Sequence, residues 1–486
     1  MEQAALELLS AACMEKACRE SINRYCAPWL KALAEERQGT NKALAALVLA
    51  KVIGDSAEKD VTAKLSELVL QDAGASDQAI EGLAYTSLQP KVKQDIASNT
   101  KVVKSMVAAL RNRPSVTFGC LTAFANITAY RPPESEEQKR MSHLKAYANS
   151  SKPAEKDPLD NNGHVTARCR ALLDADVVPA IVSCCKQTTS PINIALAVRV
   201  LLALAQEQKH RAKMTQQGAV KLLLQIRERI AKTDKATEDA SVIERNAAHA
   251  LARLLISINP AHVFSSSLPA SSAASALVQL LAVDQAGDDQ ERNLLPTFEA
   301  LLALTNLASM EEDTVRELLL RSAWATLENH LLLSSNTMIQ RASVELVCNL
   351  MASPSGVAKF ADGSKQASNR MHILLALADV EDLATRRAAG GALAMLTEWD
   401  KAVEAVLGKE RGVKILLGMC ADESEEMKHR GLVCVLNLME APGKVGEDAM
   451  SKVKAEGGEA VLKESLRGTK SPEILGIGVQ VLKKLA

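Results

Sequence analysis

Four asparagines in this 486-residue chain stand inside otherwise apolar helical runs: Asn126 in AFANIT, Asn306 in ALTNLA, Asn349 in LVCNLM and Asn437 in VLNLM. A side-chain amide offers one acceptor and two donor hydrogens. A row of amides at regular intervals would hold the main-chain N–H and C=O groups of a bound segment, whatever its sequence. The alternative is that each Asn bonds the backbone of a neighbouring part of the same fold and satisfies buried polar groups there. Residues and spacing leave both readings open.

The other side chains with chemical potential form no reacting constellation. The sequence holds no GxxxxGK[ST] loop, no HExxH and no GxSxG, so phosphate-loop, zinc-hydrolase and nucleophile-elbow chemistry have no motif behind them. The eight histidines are scattered, and His249 in AAHAL reads as a packed helix residue. The ten cysteines form no CxxC pair, and their mostly apolar surroundings suit reduced thiols in the cytoplasm. Cys184 and Cys185 adjoin on a helix and are expected to point apart. No catalytic residue, metal or cofactor is expected, and the chain is read as a non-enzyme.

The elements that must position the asparagines are helices. Apolar residues recur at helical spacing almost throughout, and DAGASD, NRPS, TTSP, MASPSG and MEAPGK punctuate them as turns. With 47% hydrophobic but only 2% aromatic residues, Ala, Leu and Val must build the core. Aligning the segments around Asn126, Arg253, Asn306, Asn349, Met395 and Asn437 gives intervals of 43, 46 and 42 residues from Asn306 onward. Periods of about 40–47 belong to armadillo and HEAT repeats. The expected fold is therefore an all-α armadillo/HEAT-like helical repeat superhelix, a right-handed α-solenoid with a concave groove. Arg253 and Met395 take the amide's place in their repeats, so the row reads as interrupted.

Around that row, Phe298 lies about two turns before Asn306. Arg341 and Glu345 sit four apart at the start of the helix carrying Asn349, and Arg386 with Arg387 are expected to do the same work one repeat later. The candidate binding groove is thus Phe298, Asn306, Asn349, Arg341, Glu345, Asn126, Arg253 and Asn437. Tyr85, Phe124 and Tyr130 are further aromatics near the inner helices. The polar, Pro-bearing segment 131–164 is too long for an ordinary connection and reads as a surface insertion or a lid beside the groove, with one short helix at MSHLKAY. The stretch 230–242 reads as a plain linker.

Lys plus Arg and Asp plus Glu both total 58, so global charge gives no case for nucleic acid or an anionic membrane. No run of about 18 apolar residues suggests a spanning helix. The start of a helix at the N-terminus without a capping residue suggests a piece of a longer chain.

Particular strings are more specific than the period. ERNAAHALARLLISINPAHVF (244–264), FEALLALTNLASM (298–310), RASVELVCNLM (341–351), AAGGALAMLT (388–397) and KHRGLVCVLNLM (428–439) resemble the UCS family of myosin chaperones. ALELLSAAC, CRESINRYCAPWL and EGLAYTSLQPKVKQDI (81–96) resemble that family's central region. MSHLKAYA (141–148) and VTARCRALLDADVVPAIVSC (165–184) resemble the start of its UCS region.

The resemblance implies an ATP-independent chaperone of the myosin motor domain, promoting its folding and actomyosin assembly, with the client held in the groove. It implies the central region over 1–75, connecting (neck) repeats over 76–130, a groove-side loop over 131–164 and the UCS region over 165–486. No 34-residue tetratricopeptide pattern is present, as in the fungal kind of member, so Hsp90 is expected as a partner only indirectly. Self-association stays open.

The rival from another class is a passive armadillo scaffold or adaptor for folded partners. Importin-like adaptors pair Trp with Asn four residues on, and Trp29, Trp324 and Trp399 lack that partner.

Overall fold

The computed structural model describes residues 1–53, 59–71, 73–131, 140–141, 157–232, 238–282 and 293–486. It divides into two compact units, Met1–Ile258 and Asn259–Ala486. Among the described residues there is no strand, only one isolated bridge between Ser265 and Leu268. Helix follows helix, as the apolar spacing predicts.

In the first unit the inner helices are α1 (Gly39–Ile53), α2 (Ala73–Thr86), α3 (Thr117–Ile127), α4 (Pro191–Leu204) and α5 (Glu238–Ile256), each packed on the next. In the second they are α6 (Leu295–Ala308), α7 (Thr337–Leu350), α8 (Leu383–Leu396), α9 (Glu425–Glu440) and α10 (Pro472–Leu485), stacked in the same way. Shorter outer helices lie between them in sequence. Both units are armadillo-like helical repeats. The sequence alignment found α3 and α5 to α9 but passed over α1, α2, α4 and α10, which carry no amide at the matching place.

Each inner helix buries an Ala/Leu/Val face, as with Leu301, Ala303, Leu304 and Leu307 of α6. A repeat of this size cannot bury that face alone, so neighbours supply the remainder. A second force joins repeats: a cation or amide of one repeat donates to a helix-end carbonyl of the repeat before. Lys213 Nζ reaches Leu173 O at 3.1 Å, Arg229 Nη1 reaches Cys185 O at 2.8 Å, and Lys452 Nζ reaches Leu407 O at 2.6 Å. The last carbonyls of a helix carry its negative end, so each such bond meets favourable charge.

Buried arginines close the turns by the same logic. Arg168, with a fully buried side chain, donates to Ile127 O at 3.0 Å and Leu159 O at 2.7 Å. Arg316 donates to Ala308 O and Glu311 O, both at 2.9 Å.

Three expectations need correction. Helix α2 begins at Ala73, inside the stretch read as a turn, and α5 begins at Glu238, inside the supposed linker 230–242. Glu238 and Asp239 then occupy the first turn of α5, where negative charge suits the helix dipole. Cys184 and Cys185 are not independent of each other: each thiol shifts its neighbour, lowering the first and raising the second, and Cys184 Sγ lies 3.9 Å from Thr117 Oγ1. Within 131–164, residues 132–139 and 142–156 lie outside the described residues, and the MSHLKAY helix falls almost wholly there. The segment's described end is anchored, with Asp160 accepting from Lys93 at 3.1 Å and lying 3.6 Å from Arg131.

Candidate functional site: the open stripe of the inner helices

On α6 to α9 the incompletely buried residues include a set three, seven, ten and eleven places along from its first member, which is one helix face. On α6 the stripe is Leu295, Phe298, Leu302, Thr305 and Asn306. On α7 it is Met338, Arg341, Glu345, Cys348 and Asn349. Phe298, Asn306, Arg341, Glu345 and Asn349 therefore share an open face, as their spacing predicts. The first unit places Asn126 half-buried on α3 and Arg253 almost wholly buried on α5.

The amides are held from behind. Asn349 Nδ2 donates to Thr305 O at 2.8 Å. Asn126 Nδ2 donates to Ser87 Oγ at 3.0 Å and Ala84 O at 3.5 Å; Asn437 Nδ2 donates to Thr397 Oγ1 at 3.2 Å and Ala394 O at 3.4 Å. Ser87 and Thr397 in turn donate to those same Ala carbonyls, at 2.8 and 3.0 Å. Each of these three amides thus joins its repeat to the one before. Arg253 does not interrupt it, because its guanidinium makes the equivalent bond, Nη1 to Leu202 O at 3.2 Å. Asn126 and Asn437 each reach a hydroxyl and a carbonyl on the same side of the amide. Asn349 commits one amide hydrogen, leaving Oδ1 and a second N–H toward the open side.

That open side is a hollow of about 350 Å³ across α6 to α9. Thr305, Arg341, Glu345 and Asn349 line it together with Arg387, Glu426 and Arg430. Arg341 pairs with Glu345 at 3.1 Å, and Arg387 with Glu426 at 3.1 Å. Arg430 also pairs with Glu426, and it donates to Arg387 O across the stack. Helix α8 presents small residues to the hollow, Ala384 and Ala388, with Gly391 one turn further along. A Cβ on Gly391 would stand 3.0 Å from Cys348 Sγ and 3.4 Å from the Arg430 guanidinium. The Cys348 thiol is pushed up by burial, opposed by nearby Arg430.

Arg386 does not share the work of Arg387. It turns away to donate to Val380 O and Glu381 O, at 3.0 and 2.8 Å, and pairs with Asp422 at 3.1 Å. Phe124 is core, fully buried, and Tyr130 is half-buried with its hydroxyl 3.1 Å from Thr166. Tyr85, 42% exposed, carries the Lys51 ammonium 5.2 Å from its ring centre. Sequence reasoning missed Arg430, Glu426, Leu295 and Met338. A signal existed: Arg341, Arg387 and Arg430 are 46 and 43 residues apart, which is the repeat itself.

No metal-holding group of three or more His, Cys, Asp or Glu occurs among the described residues, and no described helix is long and apolar enough to cross a membrane.

Comparison with known proteins agrees with this architecture. Residues 1–84 match the UNC45-central family, described as myosin-binding striated muscle assembly central. Ring assembly protein 3 of Schizosaccharomyces pombe is 31% identical over 440 residues, 89% of this chain and 56% of that protein. The structure of UNC-45 from Drosophila melanogaster superposes with a TM-score of 0.78 at 25% identity, over 99% of this chain and 60% of the other. The myosin chaperone UNC-45 from C. elegans, solved in complex with a Hsp90 peptide, gives a TM-score of 0.78 at 23% identity, over 100% of this chain and 50% of the other. The chain thus spans between half and two thirds of the length of these relatives.

Proposed function

Because this chain is a homologue of UNC-45 and ring assembly protein 3, we propose that it is a chaperone of the myosin motor domain that captures a client segment on the open stripe of its second unit. The observation that carries the reading is the identity to ring assembly protein 3 over 89% of the chain, joined to the myosin-binding description of the family matched at residues 1–84.

In this reading Phe298 and its apolar neighbours shield client side chains from aggregation. Asn306 and Asn349 offer amides to client main chain, and Arg341 with Glu345 extends the polar surface. Asn126 and Asn437 extend the row, and Arg253, almost wholly buried, contributes least to capture. A hydrogen bond offered from a preorganised side chain carries little sequence preference, which suits an unfolded client. Release follows when the client folds and withdraws the segment, without nucleotide. Domain roles follow the same reading, with the central region at the N-terminal end and the client-binding UCS region over 165–486. Any Hsp90 link is indirect.

The test is aggregation of a purified motor domain on warming, followed by light scattering without nucleotide, beside an unrelated aggregating protein. Selective suppression for myosin is expected. Equal suppression of both proteins points to a general holdase, and none, with this chain folded, to a scaffold for folded partners.

A further inference from the structure

The stripe of the second unit changes character along the stack. On α6 it is apolar: Leu295 is 45% exposed, and Phe298 and Leu302 are half-buried beside it. On α7 the equivalent of Leu295 is Met338, 49% exposed. On α8 the stripe turns small, and at α8 and α9 it turns charged. The charge there is not balanced. Arg341 has Glu345 as its own partner, with the carboxylate of Asp382 also in its field. Arg387 and Arg430 share one carboxylate, Glu426, and otherwise donate to the neutral Ser424 hydroxyl and Arg387 carbonyl. The lining of the hollow thus holds three guanidiniums against two carboxylates, and the hollow is wide enough to admit a side chain.

We propose that this groove selects client segments carrying an apolar residue and a carboxylate about five or six residues apart, the first seated on Leu295, Phe298 and Met338, the second on Arg387 and Arg430. The spacing follows from the stack. From the α6–α7 pair to the α8–α9 pair is two helix-to-helix steps, about 16–20 Å, and an extended chain advances about 3.3 Å per residue. Bidentate guanidinium–carboxylate contact gives the charged end direction as well as strength. The proposal rests on the groove reading above and adds to it a rule for what the groove accepts.

The test uses the full chain and fluorescein-labelled twelve-residue peptides in a Gly/Ser background. One carries Phe and Glu six residues apart, a second has Lys for Glu, and a third has Phe and Glu two apart. Fluorescence anisotropy should give the first peptide at least about tenfold tighter binding than the other two, the size of one charge-assisted hydrogen bond. Arg387→Glu should reverse the order of the first two peptides, and Leu295→Ser should weaken the first while leaving it ahead of the second, with circular dichroism showing both variants folded. Equal binding of the Glu and Lys peptides overturns the rule, as does binding of none of the three. Suppression of motor-domain aggregation by a chain that binds the Glu and Lys peptides alike leaves the chaperone reading standing and the rule overturned. The ranked peptide order without suppression does the reverse.

Discussion

Asn349 donates its amide N–H to the main-chain carbonyl of Thr305 at 2.8 Å, across 44 residues of sequence. The bond joins α7 to the last turn of α6, and it repeats at Asn126, Arg253 and Asn437 with their own preceding helices. An amide that looks like a groove contact is thus also a fastener between repeats, and the two roles can be separated by substitution.

Asn349→Ala should cost about 1 kcal/mol of stability in the second unit, the net worth of a neutral hydrogen bond. Asn349→Asp should cost more, since a carboxylate cannot donate and would face the Thr305 carbonyl. Urea unfolding followed by circular dichroism measures both. A variant that keeps its unfolding midpoint but loses client capture would show that the outward half of the amide matters more than the inward half.

Arg316 is buried and holds the turn after α6 through carbonyls at 308 and 311. Arg316→Ala should destabilise by about 2–3 kcal/mol, since bonds from a charged donor are worth more than neutral ones and the carbonyls lose their partner. Thermal unfolding would register this as an early loss of the second unit, because each repeat depends chiefly on its neighbours.

Gly356 sits where an added Cβ would run into the Leu350 carbonyl oxygen, a backbone atom that cannot swing aside. Gly356→Ala should therefore destabilise by about 1–3 kcal/mol, as overpacking does. Gly363, whose surroundings are open but whose φ is +82°, should lose about 1 kcal/mol on the same change, for conformational reasons alone. Comparing the two midpoints separates crowding from backbone strain.

Asp382 caps α8, accepting from Thr385 N and Thr385 Oγ1 at 2.7 Å each. Those bonds, the side-chain one first, hold its carboxyl below the usual carboxylate range. A group lowered on folding stabilises the native state above its unfolded value and loses that contribution as the pH falls through the folded value. Asp382→Asn should therefore be less stable than the parent at pH 7, and the difference should close below about pH 4. Unfolding midpoints at pH 7, 5 and 3.5 measure it.

Seven of the ten thiols are buried; Cys18 is exposed, and Cys26 and Cys348 are half-buried. Burial pushes Cys169 and Cys434 up to about 12, so neither is a thiolate at ordinary pH. Thiol titration of the native chain should find about three reactive groups against ten after unfolding. Cys348 lines the hollow, so a bound client should protect it while Cys18 stays reactive. Unchanged reactivity of Cys348 in the presence of a bound client would count against the hollow as its seat.

The sequence by itself determined the helices and their repeat, because an Ala/Leu face returning at helical spacing every 42 to 46 residues has one economical burial, in a stack of like units. It marked parts of the open stripe too: Phe298 with Asn306, and Arg341 with Glu345 and Asn349, stand at spacings that put each set on one face of its own helix before any neighbour is known. What only the tertiary structure decided is where each polar group spends its hydrogen bonds. Nothing local distinguishes Arg386, which turns to the carbonyls of its own turn, from Arg387, which faces the hollow. Nor does local sequence reveal that Arg253 can do an asparagine's work. The bonds that Asn126, Arg253, Asn349 and Asn437 make between repeats join residues some 42 to 51 positions apart, and each reaches a main-chain carbonyl, which every residue carries. Side-chain type therefore carries no mark of them, and only the stacking of repeats brings donor and acceptor together.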